Sequence, residues 1–257
     1  MKFYRVDTPG GARWARGDGD GLRLRLLEGA PWDDPRETGD ELPLAGAPLL
    51  APATPSKIVG IGLNYRDHAA ERGKPVPDEP LLFLKPSSTV IGPGAPIRKP
   101  AWVGRVDHEA ELAVVVGRTA SRLPSPEAAR AYLFGALCAN DVTARELQQR
   151  DVQFTRGKSF DSFCPLGPCL VTGLDLGALG VEGRVNGQVR QKSTTAQLVF
   201  PPEYLLWYVA RVMTLVPGDV IVTGTPAGIG PLAHGDRVEV EVQGVGVLSN
   251  PVVEVPE

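Results

Sequence analysis

Asp107-His108-Glu109-Ala110-Glu111, running directly into Leu112-Ala-Val-Val-Val116, is the stretch on which the reading of this chain turns. The apolar run has the character of a strand entering a core. Alternate residues of a strand project to one face about 7 Å apart, so Glu109 and Glu111 share a face and can converge on one cation. Unpaired charges are expensive to desolvate, and two carboxylates at the mouth of a buried strand therefore need a reason. The alternative to a metal site is a solvated strand face, with both glutamates in water or held by arginines such as Arg105 and Arg118. Carboxylate pairs at this spacing are common on solvated faces, so this segment alone leaves both readings open.

Composition narrows the classes. The chain has 257 residues, 42% hydrophobic and 22% charged, enough for one large core or a core with a small appendage. A net charge of -3 leaves no electrostatic footprint for nucleic acid or an anionic membrane surface. No apolar run approaches the roughly 20 residues of a membrane helix, and Met1-Lys2-Phe3-Tyr4-Arg5 lacks an extended apolar signal segment, so a cytoplasmic location is expected. Cys138, Cys164 and Cys169 form no CxxC pair and fit reduced, buried thiols better than disulfides or a zinc site. With only three histidines, a histidine-rich transition-metal centre is disfavoured, which leaves an oxygen-ligated hard cation.

The chain divides near residue 53. Before it, Lys2 to Val6, Arg13 to Arg16 and the alternating Leu22-Arg23-Leu24-Arg25-Leu26 read as short antiparallel strands, followed by a loop-rich stretch from Pro31 to Pro55. This predicts a small β-rich N-terminal cap over residues 1–53 and a main domain over 54–257. In the main part, Lys57 to Ile61 reads as a buried strand and Ser125-Pro126-Glu127 as a helix start. Asn186-Gly187 is the turn of a hairpin, and Asp219 to Thr223, Arg237 to Val242 and Gly246 to Leu248 are further strands. The longest periodic helix runs from about Glu203 to Thr214. Strands outnumber helices, which argues against a doubly wound sheet and for an α+β, mostly β fold.

Four other polar clusters bear on the glutamates. If Asn64 to Glu71 is helical, His68 and Glu71 lie at i and i+3 and can form a hydrogen-bonded base and orienter; an exposed helix start with a chance neighbour is the plainer alternative. An imidazole held by a carboxylate is a standard general base. Asp141 ends the apolar strand Leu133 to Ala139, where it can serve a site or merely cap the following helix, whose Arg145 and Gln148 share a face. Arg156-Gly157-Lys158-Ser159-Phe160-Asp161 leads into a rigid turn rich in proline and glycine, Cys164 to Pro168. Lys158 there can pair with a substrate carboxylate or an enolate, although most lysines are simply solvated. Gly224-Thr225-Pro226-Ala227-Gly228 offers backbone amides and the Thr225 hydroxyl to an anion, without matching a nucleotide-binding loop.

Taken in order, these motifs resemble the fumarylacetoacetate hydrolase family. The matching features are GxNYxxHxxE from Gly62 to Glu71, Phe83-Leu84-Lys85-Pro86, Asp107 to Glu111, Asn140-Asp141 with Arg145 and Gln148, Arg156 to Phe160, and Gly224 to Gly228. The resemblance implies a mixed β-sandwich or roll with few flanking helices, a homodimer, and an active-site Mg²⁺ or Mn²⁺. It implies Glu109, Glu111 and Asp141 as metal carboxylates, His68 with Glu71 as the acid/base dyad, and Lys158 beside the metal. Arg145, Gln148 and Thr225 fall near the substrate, while His108 points to the opposite strand face and is not counted as a ligand.

A hard ion with open positions suits the two oxygens of a 2-oxo acid, and charge arriving at C3 is then delocalised into an enolate on the metal. That one intermediate serves isomerisation, C–C hydrolysis or decarboxylation. The expected substrate is a small 2-oxo or 2-hydroxydienoic diacid of aromatic-compound breakdown. The reading favoured is a 2-hydroxyhepta-2,4-diene-1,7-dioate isomerase; the alternatives are an acylpyruvate (fumarylpyruvate-type) hydrolase or an oxaloacetate-type decarboxylase. Of another class is a non-enzymatic module that binds Ca²⁺ structurally.

Overall fold

The computed structural model describes residues 1–256, and among them strands dominate and pair into three sheets. The largest sheet has twelve strands. Its main path runs from edge to edge through Arg36–Pro43, Arg23–Glu28, Gly11–Gly17, Lys2–Thr8, Cys164–Val171, Leu133–Asn140, Ala110–Val116, Val220–Val222, Ile58–Gly62 and Leu81–Lys85. A five-stranded sheet orders Gln188–Thr194, Gly180–Val185, Arg237–Val242, Gly246–Val255 and Ile97–Pro100. The third holds only Thr143–Ala144, Val106–His108 and Gly230–Pro231. Most pairings are antiparallel, but Val220–Val222 with Ile58–Gly62 and Gly246–Val255 with Ile97–Pro100 are parallel, so the sheets are mixed.

Burial explains the sequence patterns. Leu112 to Val116 is fully buried because both faces of its strand are covered. One face, through Ala110 and Leu112, packs with Val181, Val240, Val242 and Leu248 of the five-stranded sheet and forms the sandwich layer. The other, through Ala113 and Val115, meets Phe3, Leu137, Leu166 and Leu170. The helix Pro202–Val212 lays Leu205, Leu206 and Val209 over Val59, Val114 and Ile221. The architecture is therefore the mostly-β, layered arrangement expected, with few helices.

Local signals hold where they rest on turn and cap chemistry. Asn186 and Gly187 have φ of 52° and 76°, the left-handed pair a two-residue hairpin requires. Ser125 caps the helix Pro126–Ala129 by accepting the Ala128 N–H at 3.3 Å. All three cysteines are free and buried, and burial pushes the Cys164 thiol up to about 12.

Two expectations are corrected. Residues 31–55, expected as loop, contain the strand Arg36–Pro43 and the short strand Leu49–Leu50. Arg36–Pro43 is the outermost strand of the sheet and mostly exposed, so it carries no apolar alternation to detect; Arg23 pairs with Glu41 across it at 2.8 Å. Cys164 to Pro168, expected as a rigid turn, opens the strand Cys164–Val171 in the middle of the large sheet. Proline cannot donate to a ladder, and the pairing to Leu133–Asn140 shifts register between Ala136 and Cys138, beside these prolines.

No helix among the described residues is long and apolar enough to cross a membrane.

Candidate active site

Strand register builds the site. Ala110 pairs with Asn140 and Glu111 with Ala139, so the next step along the same antiparallel ladder sets Asp141 opposite Glu109; the Asp141 N–H donates to the Glu109 carbonyl at 2.9 Å. Residues directly opposite one another stand side by side on one face. Glu109, Glu111 and Asp141 are accordingly all buried, with carboxylate oxygens within 4.8 Å of one another. Glu109 is where the chain leaves the three-stranded sheet and enters the twelve-stranded one, and Asn140 steadies that transition by accepting the Glu109 N–H at 3.0 Å.

The cations around these carboxylates are Lys158 and Arg145, not the Arg105 and Arg118 of the alternative solvated-face reading. Lys158 Nζ donates to Glu109 Oε2 at 2.8 Å and to Asp141 Oδ2. Arg145 donates through Nη2 to Glu109 Oε1, through Nε to Asp107 Oδ2 at 2.9 Å and through Nη1 to Gln148 Oε1 at 2.5 Å. The Arg105 side chain donates instead to Asp107 Oδ1 at 2.7 Å. Lys85, fully buried, donates to Asp141 Oδ1 at 2.6 Å. Sequence reasoning left Lys85 and Asp107 without a role, because their partners are 56 and 38 residues away.

These contacts separate the two glutamates electrostatically. Burial alone would raise the Glu109 carboxyl, but Lys158 and Arg145 outweigh it and hold the group well below the usual carboxylate range. Burial also raises Glu111, the charges of Asp141 and Glu109 add to the effect, and Lys158 and the Gly224 amide only partly oppose it, so its carboxyl lies well above that range. Lys158 moves up despite burial, because Asp141 and Glu109 favour its charged form. Glu111 has no ion pair among the described residues; its Oε2 accepts the Gly224 N–H at 2.7 Å. A divalent cation fits this donor set, since three converging buried carboxylates are hard oxygen ligands and one of them lacks a positive partner.

His68 arrives from the far edge of the same sheet. It lies on the helix Arg66–Glu71 and is 8% exposed, with Nδ1 and Glu71 Oε2 3.0 Å apart. Glu71 in turn accepts the Gly228 N–H through Oε1 at 3.0 Å, which ties the helix to the loop after Val220–Val222. His68, the three carboxylates, Lys158, Arg145, Gln148 and Thr225 all line one cavity of about 140 Å³. Glu71 stands behind His68 and is not among the lining residues.

The Gly224–Gly228 loop behaves differently from expectation. Its Gly224 and Gly228 amides serve Glu111 and Glu71 of the chain itself, and Thr225 Oγ1 donates to the Ala110 carbonyl at 3.0 Å while accepting Gln191 Nε2 at 2.7 Å. Thr225 lines the cavity with its hydroxyl proton already committed. Gly224 is needed for the loop's course: its φ is 100°, and a Cβ there would stand 2.8 Å from the Asn64 side chain. Asn64 is itself fixed, donating to the carbonyls of Thr223 at 2.8 Å and Phe200 at 3.0 Å.

Residues 57–253 match the family model described as fumarylacetoacetate (FAA) hydrolase C-terminal, and residues 1–52 match a second, described as Rv2993c-like, N-terminal. The chain belongs to the fumarylacetoacetate hydrolase family. It is an enzyme of that family, and its relatives span several reactions. A solved structure of 2-hydroxyhepta-2,4-diene-1,7-dioate isomerase from Mycobacterium marinum is 39% identical, with a TM-score of 0.91 over 99% of this chain and 98% of that one. Maleylpyruvate hydrolase from Sphingobium sp. SYK-6, solved in complex with manganese (II) ion and pyruvate, is 30% identical, with a TM-score of 0.80 over 99% of both chains. The mitochondrial oxaloacetate tautomerase fahd2 of Xenopus laevis is 45% identical over 218 residues, 80% of this chain and 68% of that one. Membership in the fumarylacetoacetate hydrolase family thus carries the enzyme class, and the carboxylate cluster has the donor chemistry of a divalent-metal site.

Proposed function

We propose that this family enzyme is a Mg²⁺- or Mn²⁺-dependent isomerase of a 2-oxo or 2-hydroxydienoic diacid, with 2-hydroxyhepta-2,4-diene-1,7-dioate as the substrate that fits best. The observation that carries this reading is the meeting of Glu109, Glu111 and Asp141 on one buried face beneath a cavity that His68 also lines. These three carboxylates would hold the ion, which when bound supplies Lewis-acid polarisation of a 2-oxo group.

The remaining chemistry belongs to the side chains. Glu71 on Nδ1 sets the imidazole so that Nε2 of His68 takes and returns the proton. In isomerisation a proton leaves the 2-hydroxyl and another arrives on a carbon of the conjugated chain, which needs one base and no water. Lys158, held charged, stands ready to steady the developing enolate. Arg145 fixes Glu109 and orients Gln148, whose amide nitrogen is then available to the substrate. Thr225 shapes the wall beside them.

Support for isomerisation over the other outcomes comes from the relatives: the M. marinum isomerase and the Xenopus tautomerase are both named for relocating a proton. The second reading is acylpyruvate hydrolysis, favoured by the maleylpyruvate hydrolase relative and by a dyad that can equally activate water; oxaloacetate decarboxylation would use the same enolate. We also propose residues 1–53 as a distinct N-terminal cap on a 54–257 catalytic domain, in line with the two adjoining family matches, and a homodimer as the working assembly.

Glu111→Gln is the cleanest test. Glu111 has no ionic partner among the described residues, and glutamine keeps an oxygen for the Gly224 N–H, so the fold should survive. Divalent-dependent turnover of the heptadienedioate should fall by roughly 100-fold or more, with the circular dichroism spectrum unchanged. Wild-type turnover in this variant would sink the metal reading.

A further inference from the structure

The lining of the cavity changes character from floor to mouth. At the floor, the charges of Lys158 and Arg145 are committed to Glu109, Asp141 and Asp107. The walls are apolar, through Leu63, Leu81, Phe83 and Phe154. At the mouth stand Arg72 and Lys74, both exposed, and neither side chain has an ion pair or hydrogen bond among the described residues. Two cations that no carboxylate among the described residues neutralises thus line the entrance to a site whose other cations, Lys158 and Arg145, are occupied.

Their placement is built in. The helix Arg66–Glu71 ends in a paired-bond cap: the Gly73 N–H donates to the Ala70 carbonyl and the Lys74 N–H to the Ala69 carbonyl, each at 3.0 Å, with Gly73 at a φ of 60°. That turn sends the chain back so that Arg72 and Lys74 both reach the cavity. Arg72 lies one helical turn after His68, and its N–H donates to the His68 carbonyl at 3.0 Å. The imidazole and the two free cations therefore ride on one short rigid unit.

We propose that Arg72 and Lys74 bind the second carboxylate of the substrate and so make the enzyme specific for 2-oxo dicarboxylates over 2-oxo monocarboxylates. The 2-oxo acid end lies at the carboxylate cluster, the carbon chain runs along Leu81 and Phe83, and the far carboxylate meets the guanidinium and ammonium at the mouth. Arginine and lysine suit this place because a carboxylate accepts from both at once. The inference rests on the 2-oxo acid reading above and adds the recognition of the distal end.

Calorimetric titration of the Mn²⁺-loaded protein tests it without turnover. The probes are 2-oxoheptanedioate and 2-oxoheptanoate, equal in length and alike at the 2-oxo acid end. Wild type should bind the diacid about tenfold more tightly, a preference that shrinks as salt is raised. Arg72→Gln/Lys74→Gln should lose the preference and bind the monoacid as wild type does, while Arg72→Lys retains most of it. Equal affinities in wild type, or an undiminished preference in the double variant, would overturn the assignment while leaving the 2-oxo acid reading intact. If neither probe binds, the 2-oxo acid reading fails and this inference falls with it.

Discussion

Glu109 and Glu111 are two residues apart and share a face, yet their surroundings drive them in opposite directions. Glu109 is held charged by Lys158 and Arg145, whereas Glu111, buried beside two like charges, has only the Gly224 amide. Spacing placed them on one face; Lys158 beside them was legible only through the family resemblance, and the Arg145 contact to Glu109 not at all, because these cations lie 49 and 36 residues on. His68 and Glu71 were legible as a pair, since i and i+3 meet on any helix, but the tie of Glu71 to the Gly228 N–H, 157 residues on, was not. If His68 is the base that activates water in hydrolysis, His68→Ala should reduce hydrolysis of an acylpyruvate by roughly 10²- to 10⁴-fold. Exchange of the C3 protons of a simple 2-oxo acid in heavy water, followed by NMR, should fall much less. Equal losses would instead fit the proton-relocating role that isomerisation gives His68.

At the scale of elements, the site depends on where three neighbouring strands of the large sheet begin and end. Ala110–Val116 and Leu133–Asn140 supply the carboxylates through their register, and Val220–Val222 delivers the loop whose amides serve Glu111 and Glu71. The parallel pairing of Val220–Val222 with Ile58–Gly62 brings the His68 helix alongside. Asp219 secures that pairing: fully buried, it accepts from Ser56 Oγ at 2.7 Å, from the N–H groups of Ser56, Lys57 and Val216, and from Lys57 Nζ at 2.6 Å. Asp219→Ala leaves those donors unmatched and should cost about 3 kcal/mol of stability, measured by urea unfolding. A cost below about 1 kcal/mol would show that the strand pair holds without it. The strands themselves were readable where one or both faces are apolar, and unreadable at Arg36–Pro43, an exposed edge with no contrast between faces.

Across the whole molecule, a cluster of buried carboxylates is a local strain that a bound cation relieves, so metal and fold should be linked. At free Mn²⁺ or Mg²⁺ of about a hundred times its Kd, stabilisation is ~2.7 kcal/mol, which in a chain of this size raises Tm by roughly 5–10 °C. Scanning calorimetry with the ion and with EDTA checks this, and Glu111→Gln should lose the difference; an unchanged Tm in wild type would argue against the site. Light scattering on the same samples should give twice the 27.4 kDa of the chain if the homodimer is correct, and a monomer mass would refute it.

The sequence by itself determined the classes of element and the chemical inventory: apolar runs, turns, caps and side-chain spacing are local, and they specified a mostly β chain with carboxylates, an imidazole and a lysine in recognisable order. Only the tertiary structure decided which charges meet. The register of Glu111 on Ala139 set Asp141 opposite Glu109, and pairings over tens of residues brought Lys85, Lys158 and Arg145 onto the cluster. The reason is physical: strand identity follows from side-chain pattern, but register and sheet order follow from the packing of the whole core, and the electrostatics of a buried site depend on both.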